Sequence, residues 1–306
     1  MSHDHGHGHA HAHDRARLDR AFVVSVVLNV LFVAAEVGFG LASRSMALVA
    51  DAGHNLSDVL GLVLAWGAGW LARRRPSKLR TYGFRRATIL APVANAVLLF
   101  LATGAVMLES AQRLLHPDVV EGKTVIVVAS IGVVINGVSA LLLRREGSRD
   151  LNVRGAFVHL AADAAISLGV AITGVVLLYT GWSLLDPIVG LVLSVVIVAS
   201  AWELLRKSGN LALDAVPEGI DVDGVRAYLE GLPDVVEVHD LHVWAMSTTE
   251  NALTAHFVTR GGVCEPRFLG DVCTTLHDRF GIEHSTLQIE APEPPDPCRL
   301  APDERV

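Results

Sequence analysis

Apolar residues fill the first two thirds of the chain in blocks too long for an ordinary soluble helix or strand. Six blocks fall at roughly Ala21–Leu41, Ala47–Ala72, Ala87–Arg113, Thr124–Leu143, Gly155–Thr180 and Leu184–Leu205. A helix needs about 20 residues to cross a bilayer, so the pattern predicts six spanning helices. The connections are short, and Gly181-Trp182-Ser183 leaves room only for a turn. After Lys207 the pattern shortens and alternates. Helical spacing near Val222–Leu232 precedes two strand-like runs, Val235–Trp244 and Ala252–Thr259. A second helical stretch, Pro266–Phe280, and a last strand, Ser285–Glu290, complete an αββαβ order, expected to form a small α+β domain with its helices on one face of a sheet. The predicted organisation is a His-rich tail (1–17), a six-helix membrane domain (18–208), an α+β domain (209–291) and a Pro-rich tail (292–306).

Composition agrees with a membrane protein. Of 306 residues 51% are hydrophobic and only 19% charged, with mean hydropathy +0.44. The formal net charge is −7 and the basic residues sit in short loops, so nucleic acid is not an expected partner. Cys264, Cys273 and Cys298 form no CxxC pair and all follow the last apolar block, which fits a reduced cytosolic setting. The N-terminus carries histidines where a signal peptide would have a basic stretch and a short apolar core, so insertion is assigned to the first apolar helix. Lysine and arginine set the orientation. The loop Arg73–Arg80, with Arg85 and Arg86 after it, and the loop with Arg144, Arg145, Arg149 and Arg154 are rich, whereas alternate loops are poor. The bias places these loops and both termini in the cytoplasm, and the chain in the plasma (inner) membrane of a cell.

An Asp at the centre of a membrane helix costs about 2.5 to 3.5 kcal/mol on insertion scales, so such residues demand an explanation. The second block contains Asp51, His54 and Asp58, and the fifth contains His159 and Asp163. Each therefore holds His-x-x-x-Asp, one helical turn apart on one face. Packed face to face, the two helices would bring two imidazoles and two carboxylates together, a donor set that suits a tetrahedral Zn²⁺. No cysteine is present there to make the site thiolate-tight, as a carrier's release step requires. A single His–Asp pair reads better as a helix–helix hydrogen bond; the repeated spacing favours the metal. Asp51 either guards the approach or caps the helix. Glu36, Asn29, Asn95 and Asn136 either line a pathway or hold helices together.

Histidine continues the metal theme. His3, His5, His7, His9, His11 and His13 alternate with Gly, Ala and Asp, a pattern able to bind borderline metals weakly. In the α+β domain, His239 and His242 differ by three, which on a regular strand puts them on opposite faces. His256, with His284 and Glu290 on or beside the last strand, is placed to meet one of them in a regulatory metal site, though histidines on a sheet are common without metal.

Together these residues resemble the cation diffusion facilitator family in its zinc-transporting branch, over roughly residues 18 to 291. The resemblance rests on Ser43–Asp58, Tyr82-Gly83-Phe84-Arg85-Arg86-Ala87, His159–Asp163, His239–Trp244 and His284–Glu290. It implies a homodimer with a ferredoxin-like cytosolic domain, and a transport site on His54, Asp58, His159 and Asp163. It also implies metal bound in the cytosolic domain at His239, His256, His284 and Glu290, and an Arg86–Asp214 pair that locks the dimer at the membrane surface. Some members carry a further Asp/His site before the third helix; here that loop has no histidine, and the site is expected to be absent.

The function expected is export of Zn²⁺, or of Cd²⁺ or Co²⁺, by alternating access in exchange for protons, with His54 and His159 carrying the protons because an imidazole titrates near 6.5. The partners expected are divalent ions, protons, lipid and a second copy of the chain. Without GxxxxGK[ST] or His-Glu-x-x-His, neither ATP coupling nor an enzyme is expected, and no organic cofactor. A membrane-anchored metal sensor and a channel are the alternative readings; neither would couple metal flux to a proton gradient.

Overall fold

The computed structural model describes residues 29–146, 151–261 and 266–292. The His-rich tail, the expected start of the first helix and the Pro-rich tail lie outside the described residues. The chain divides into two compact units. One holds the described residues up to Val63 with Asn95–Trp202, the other Leu64–Ala94 with the described residues from Glu203 on.

The helices are α1 (Asn29–Ala42), α2 (Met46–Ala72), α3 (Ala87–Leu115), α4 (Gly122–Glu146), α5 (Leu151–Thr180) and α6 (Leu185–Ala212). Among the described residues α2 to α6 are long and apolar enough to cross a membrane, and the described part of α1 is apolar but shorter. These helices present large apolar side chains outward: Leu31, Leu101, Leu141 and Ile172 are all exposed. Only 17–39% of each apolar window is buried inside the protein. That is the reverse of a soluble core and follows from a solvent as apolar as leucine. Inside the first unit, Ala47 and Leu48 of α2 meet Val125, Val128 and Ala129 of α4 and Val170 of α5. Small residues set how closely the backbones approach. A Cβ on Gly132 of α4 would lie 2.9 Å from Phe32 Cζ and from Ser167 Oγ, and one on Gly174 of α5 would lie 2.9 Å from Ile126.

The start of α2 is capped from another helix. Ser45 Oγ accepts the Leu48 amide at 3.1 Å, the usual N-cap bond. The carboxylate of Asp186, fully buried in the first turn of α6, accepts Ser45 Oγ at 2.5 Å, the Met46 amide at 2.6 Å and the Ala47 amide at 3.4 Å. The positive end of one helix thus receives a negative charge supplied by the next helix bundle neighbour. Asp51 is therefore not the cap; it lies in the interior of α2, buried, with Ser167 Oγ donating to it at 3.0 Å. At its other end α6 continues seven residues past the expected Leu205, because helix-compatible polar residues follow the apolar block. It stops where Asp214 turns left-handed at φ 60° and the Ala215 amide bonds back to the Asn210 carbonyl.

In the second unit α7 (Val222–Glu230), β1 (Val235–Ala245), β2 (Asn251–Thr259), α8 (Pro266–Phe280) and β3 (His284–Glu290) follow in the expected αββαβ order. The strands form one mixed sheet in the order β1-β2-β3. β1 and β2 are antiparallel across a short turn; β2 and β3 are parallel, joined through α8 as parallel neighbours require. Val225 and Leu229 of α7 and Val272 and Leu276 of α8 pack on Val238, Val243, Leu253, Ala255 and Phe257 of the sheet. Asp221 caps α7, its side chain accepting the Gly224 amide.

One expectation about β1 fails. Its register against β2 runs His239 to His256 and then His242 to Thr254, three residues facing two, with Asp240 at φ 50°. The bulge turns His239 and His242 to the same face, the one away from the helices, where unbroken alternation would have separated them.

Replacing Asp186 with Ala should cost about 1–3 kcal/mol, because a buried hydroxyl and two amides lose their acceptor. Thermal unfolding in detergent should show a lowered midpoint, and an unchanged midpoint would show that the α2 start is held by other contacts.

Candidate metal centres

The His-x-x-x-Asp faces of α2 and α5 point at one another. His54 Nε2 lies 3.1 Å from Asp163 Oδ1 and 4.0 Å from Asp58 Oδ2. His159 Nε2 lies 3.3 Å from Asp58 Oδ2 and 3.6 Å from Asp163 Oδ2. Each imidazole therefore reaches both carboxylates, and the two rings sit edge to face with centroids 6.0 Å apart. Donor atoms of His54, Asp58 and Asp163 fall within 4.8 Å of one another. Exposure is graded across the cluster: the Asp163 side chain is 5% exposed and that of His54 17%, against 38% for Asp58 and 49% for His159. One side is sealed by protein; the other is open.

Polar neighbours surround the cluster. Asn55 Nδ2 donates to Glu36 Oε2 at 2.9 Å, and Asn95 Nδ2 donates to Ser57 Oγ at 3.3 Å. Glu36 and Asn95 thus tie α1 and α3 to α2. Sequence reasoning passed over Ser167, although it stands one turn after Asp163 on the same face, and that spacing was the available signal. Asp186 was also missed; its sign was an acid and a proline, Asp186-Pro187, opening an otherwise apolar helix.

On the sheet, His239 and His256 stand opposite one another across β1 and β2, with ring centroids 5.4 Å apart. Glu290 on β3 reaches both, Oε1 at 3.0 Å from His256 Nδ1 and Oε2 at 3.5 Å from His239 Nε2. The three offer donor atoms within 4.8 Å of one another, and both ring nitrogens of the buried His239 lack a hydrogen-bond partner. His242 turns instead to Asp240 at 2.9 Å. His284, expected near this group, is not brought to it. It pairs with Ala252 at the far end of β3, and its ring packs edge-on against Tyr82. Parallel pairing fixes this: with Gln288 beside His256, His284 is four residues away along the strand.

Arg86 and Asp214 face one another, Nη2 to Oδ1 at 2.5 Å, with both side chains about half exposed. Beside them Arg85 pairs with Glu250, and the Thr248 amide donates to Thr88 Oγ1 at 3.1 Å. His3, His5, His7, His9, His11 and His13 lie outside the described residues. The loop before α3 holds arginines and no histidine, as its sequence states.

The chain matches two family models in succession. The cation efflux transmembrane domain covers residues 22–211, and the cation efflux protein cytoplasmic domain covers residues 217–292. Among curated relatives, it is 34% identical over 284 residues to the metal cation efflux system protein CzcD of Cupriavidus metallidurans, spanning 92% of this chain and 89% of the relative. It is 34% identical over 261 residues to the zinc transporter ZitB of Escherichia coli, spanning 85% and 83%. It is 28% identical over 275 residues to a protein of Bacillus subtilis named cadmium, cobalt and zinc/H(+)-K(+) antiporter, spanning 89% and 88%. A transmembrane match over the apolar helices, a cytoplasmic-domain match over the mixed sheet and relatives covered nearly end to end make the assignment: the chain is a multi-pass membrane protein of the cation efflux family, the cation diffusion facilitators.

Proposed function

We propose that this protein is a proton-coupled antiporter that exports Zn²⁺, with Cd²⁺ and Co²⁺ as alternative cargo, from the cytoplasm. The observation that carries the reading is the convergence of His54, Asp58, His159 and Asp163 from α2 and α5, inside helices of membrane length. Two imidazole nitrogens and two carboxylates make a four-coordinate site for a borderline ion and leave no open position for hydrolysis, so transport is favoured over an enzymatic role. The names of the relatives in Escherichia coli and Bacillus subtilis support zinc as cargo, and the latter supports coupling to protons.

Proton exchange follows from the ligands. A neutral imidazole binds Zn²⁺ and an imidazolium does not, so metal arriving from the cytoplasm displaces protons from His54 and His159. When the site opens to the other side, protons compete the ion away and travel back. Raising the pH on the loading side strengthens binding, and lowering it on the release side speeds departure. Alternating access comes from movement of α2 and α5, whose small residues allow sliding contact.

A sixth span completes α1 with residues before Asn29, and the αββαβ unit is a ferredoxin-like domain in the cytoplasm, on the same side as both termini. The domain limits proposed are 1–17, 18–208, 209–291 and 292–306, and the membrane is the inner (plasma) membrane. The protein works as a homodimer, with Arg86 and Asp214 locking the dimer at the membrane surface; as an exposed pair its own contribution is small. His239, His256 and Glu290 hold a regulatory metal, for which the His239 nitrogens, which make no hydrogen bond, are suited. The histidine tail concentrates ions near the entrance. No organic cofactor takes part. A sensor would need the sheet cluster but not four converging ligands within the helices, and so is not favoured.

Asp58→Ala and Asp163→Ala should each reduce metal flux into proteoliposomes to background while the protein stays folded and dimeric, because each removes one of four ligands. Flux at the wild-type rate in either would overturn the four-ligand site.

His54→Asp leaves one imidazole and three carboxylates, a harder and more oxygen-rich cage that favours larger or harder ions. It also replaces an imidazole, whose ordinary pKa is near 6.5, by a carboxyl, whose ordinary pKa is near 4. Partial transport, a gain of Cd²⁺ or Mn²⁺ relative to Zn²⁺ and a flatter dependence on pH between about 6 and 8 are expected from it. Flux of each metal across a pH series is the measurement, with His159→Asp as companion; an unchanged preference and profile in both would remove the histidines from the site.

A further inference from the structure

Glu36 on α1 and Asp51 on α2 are 0% and 1% exposed, and Asn55, to which Glu36 is bonded, stands one helical turn after Asp51 on the same face of α2, so the two acids are neighbours. Each acid receives one donor, Asn55 Nδ2 for Glu36 Oε2 and Ser167 Oγ for Asp51 Oδ2. The second oxygen of each, Glu36 Oε1 and Asp51 Oδ1, is buried with no hydrogen-bond partner. Among the described residues no lysine or arginine pairs with either acid. His54 on α2 and Asp163 on α5 are the nearby titratable groups whose charge acts on Asp51. Among the described residues Ser167 of α5 adds a neutral contact, and behind it lies Gly132 of α4, where a Cβ would lie 2.9 Å from Ser167 Oγ.

Two ionised carboxylates in one dry pocket repel each other and leave both free oxygens unsatisfied. A single proton held between them removes the repulsion and supplies the missing donor. The pair is also wired to the ligands. Asn55 adjoins His54 on α2, and Ser167 stands one turn after Asp163 on α5, so displacement of either ligand-bearing segment changes the donors that hold the pair.

We propose that Glu36 and Asp51 form a second proton-binding site, which holds one shared proton while the metal site is empty and releases it when a divalent ion occupies His54, Asp58, His159 and Asp163. The inference rests on the metal-site reading given above and extends it to the proton count. In the step, the O–H bond of the pair breaks and the proton leaves to water on the side the site then faces, while the charge of the incoming cation replaces it. Departure of the cation reverses the exchange, the pair taking up a proton from the side then open. The number of protons exchanged per metal is then not set by the histidines alone.

The test is infrared difference spectroscopy on the full chain in detergent at neutral pH, with Zn²⁺ added or withheld. Metal-free protein should show a protonated-carboxyl C=O band that shifts in D₂O and is lost on adding Zn²⁺. Glu36→Asp should keep the band, and the double variant E36Q/D51N should lack it. The double variant should also release about one proton fewer per Zn²⁺, read by calorimetry in buffers of different ionisation enthalpy. In a D58A/D163A chain the band should remain but stop responding to Zn²⁺. A wild-type band that ignores Zn²⁺, a band that survives in E36Q/D51N, or a response that survives in D58A/D163A would each overturn the proposal. The wild-type measurements need no variant to fold. Failure of the antiport reading looks different: wild-type flux indifferent to a pH gradient, with the band and its response to Zn²⁺ intact.

Discussion

A carboxylate in the interior of a membrane helix must be neutralised, hydrogen-bonded or ligated, and the first unit is organised around that requirement. Asp186 accepts three donors at the positive start of α2. Asp58 and Asp163 lie against two imidazoles. Glu36 and Asp51, both buried, each take one neutral donor. These solutions differ in how reversible they are. Backbone amides cannot leave, so Asp186 is a fixed structural anchor. An imidazole can take up and give back a proton, so an acid beside one has a partner whose charge can change. In a low-dielectric interior that difference separates scaffold from moving part more sharply than burial does.

The gradation of exposure across the four converging side chains bears on how such a donor set would release an ion. Asp163 and His54 are sealed among helices while Asp58 and His159 remain partly open. Binding can therefore proceed by stepwise exchange of water for protein donors, open side first. The lack of thiolate ligands keeps each step shallow. On the sheet the same residue types are arranged on three hydrogen-bonded strands, whose register cannot slide without flipping every side chain to the other face. That rigidity suits a site that holds an ion more than one that passes it on.

Much of this was legible in the sequence, for reasons that differ by element. Spans of apolar residues fix where α2 to α6 lie because membrane thickness sets helix length, and the i, i+4 spacing in α2 and α5 fixes which residues share a face. The alternating runs of the α+β unit marked β1, β2 and β3 to within one residue. What escaped were features set by contacts remote in sequence. The bulge at Asp240 turns on a single left-handed residue and overturned the inference that His239 and His242 part company. His284 is drawn to Tyr82 by strand pairing that the sequence does not state. Ser45 caps α2 locally, but the carboxylate behind it is that of Asp186, 140 positions from Met46, and no local motif announced that part of the cap. The far end of α6 ran on because nothing polar forbids a helix from leaving the apolar zone.

The bond from Asp186 to the start of α2 also makes that helix a lever. Its first amides are pinned to the first turn of α6, whereas its ligands lie further along, and at 1.5 Å per residue His54 and Asp58 stand about 12 Å and about 18 Å from Met46. A tilt of roughly ten degrees about the pinned end carries them about 2 Å and about 3 Å respectively. The same rotation thus displaces the open-side carboxylate half as far again as the sealed-side imidazole. Metal coordination tolerates only a few tenths of an ångström in bond length. A small rigid-body swing about this fulcrum would accordingly strip ligands in sequence, Asp58 ahead of His54, without any change inside the helix itself.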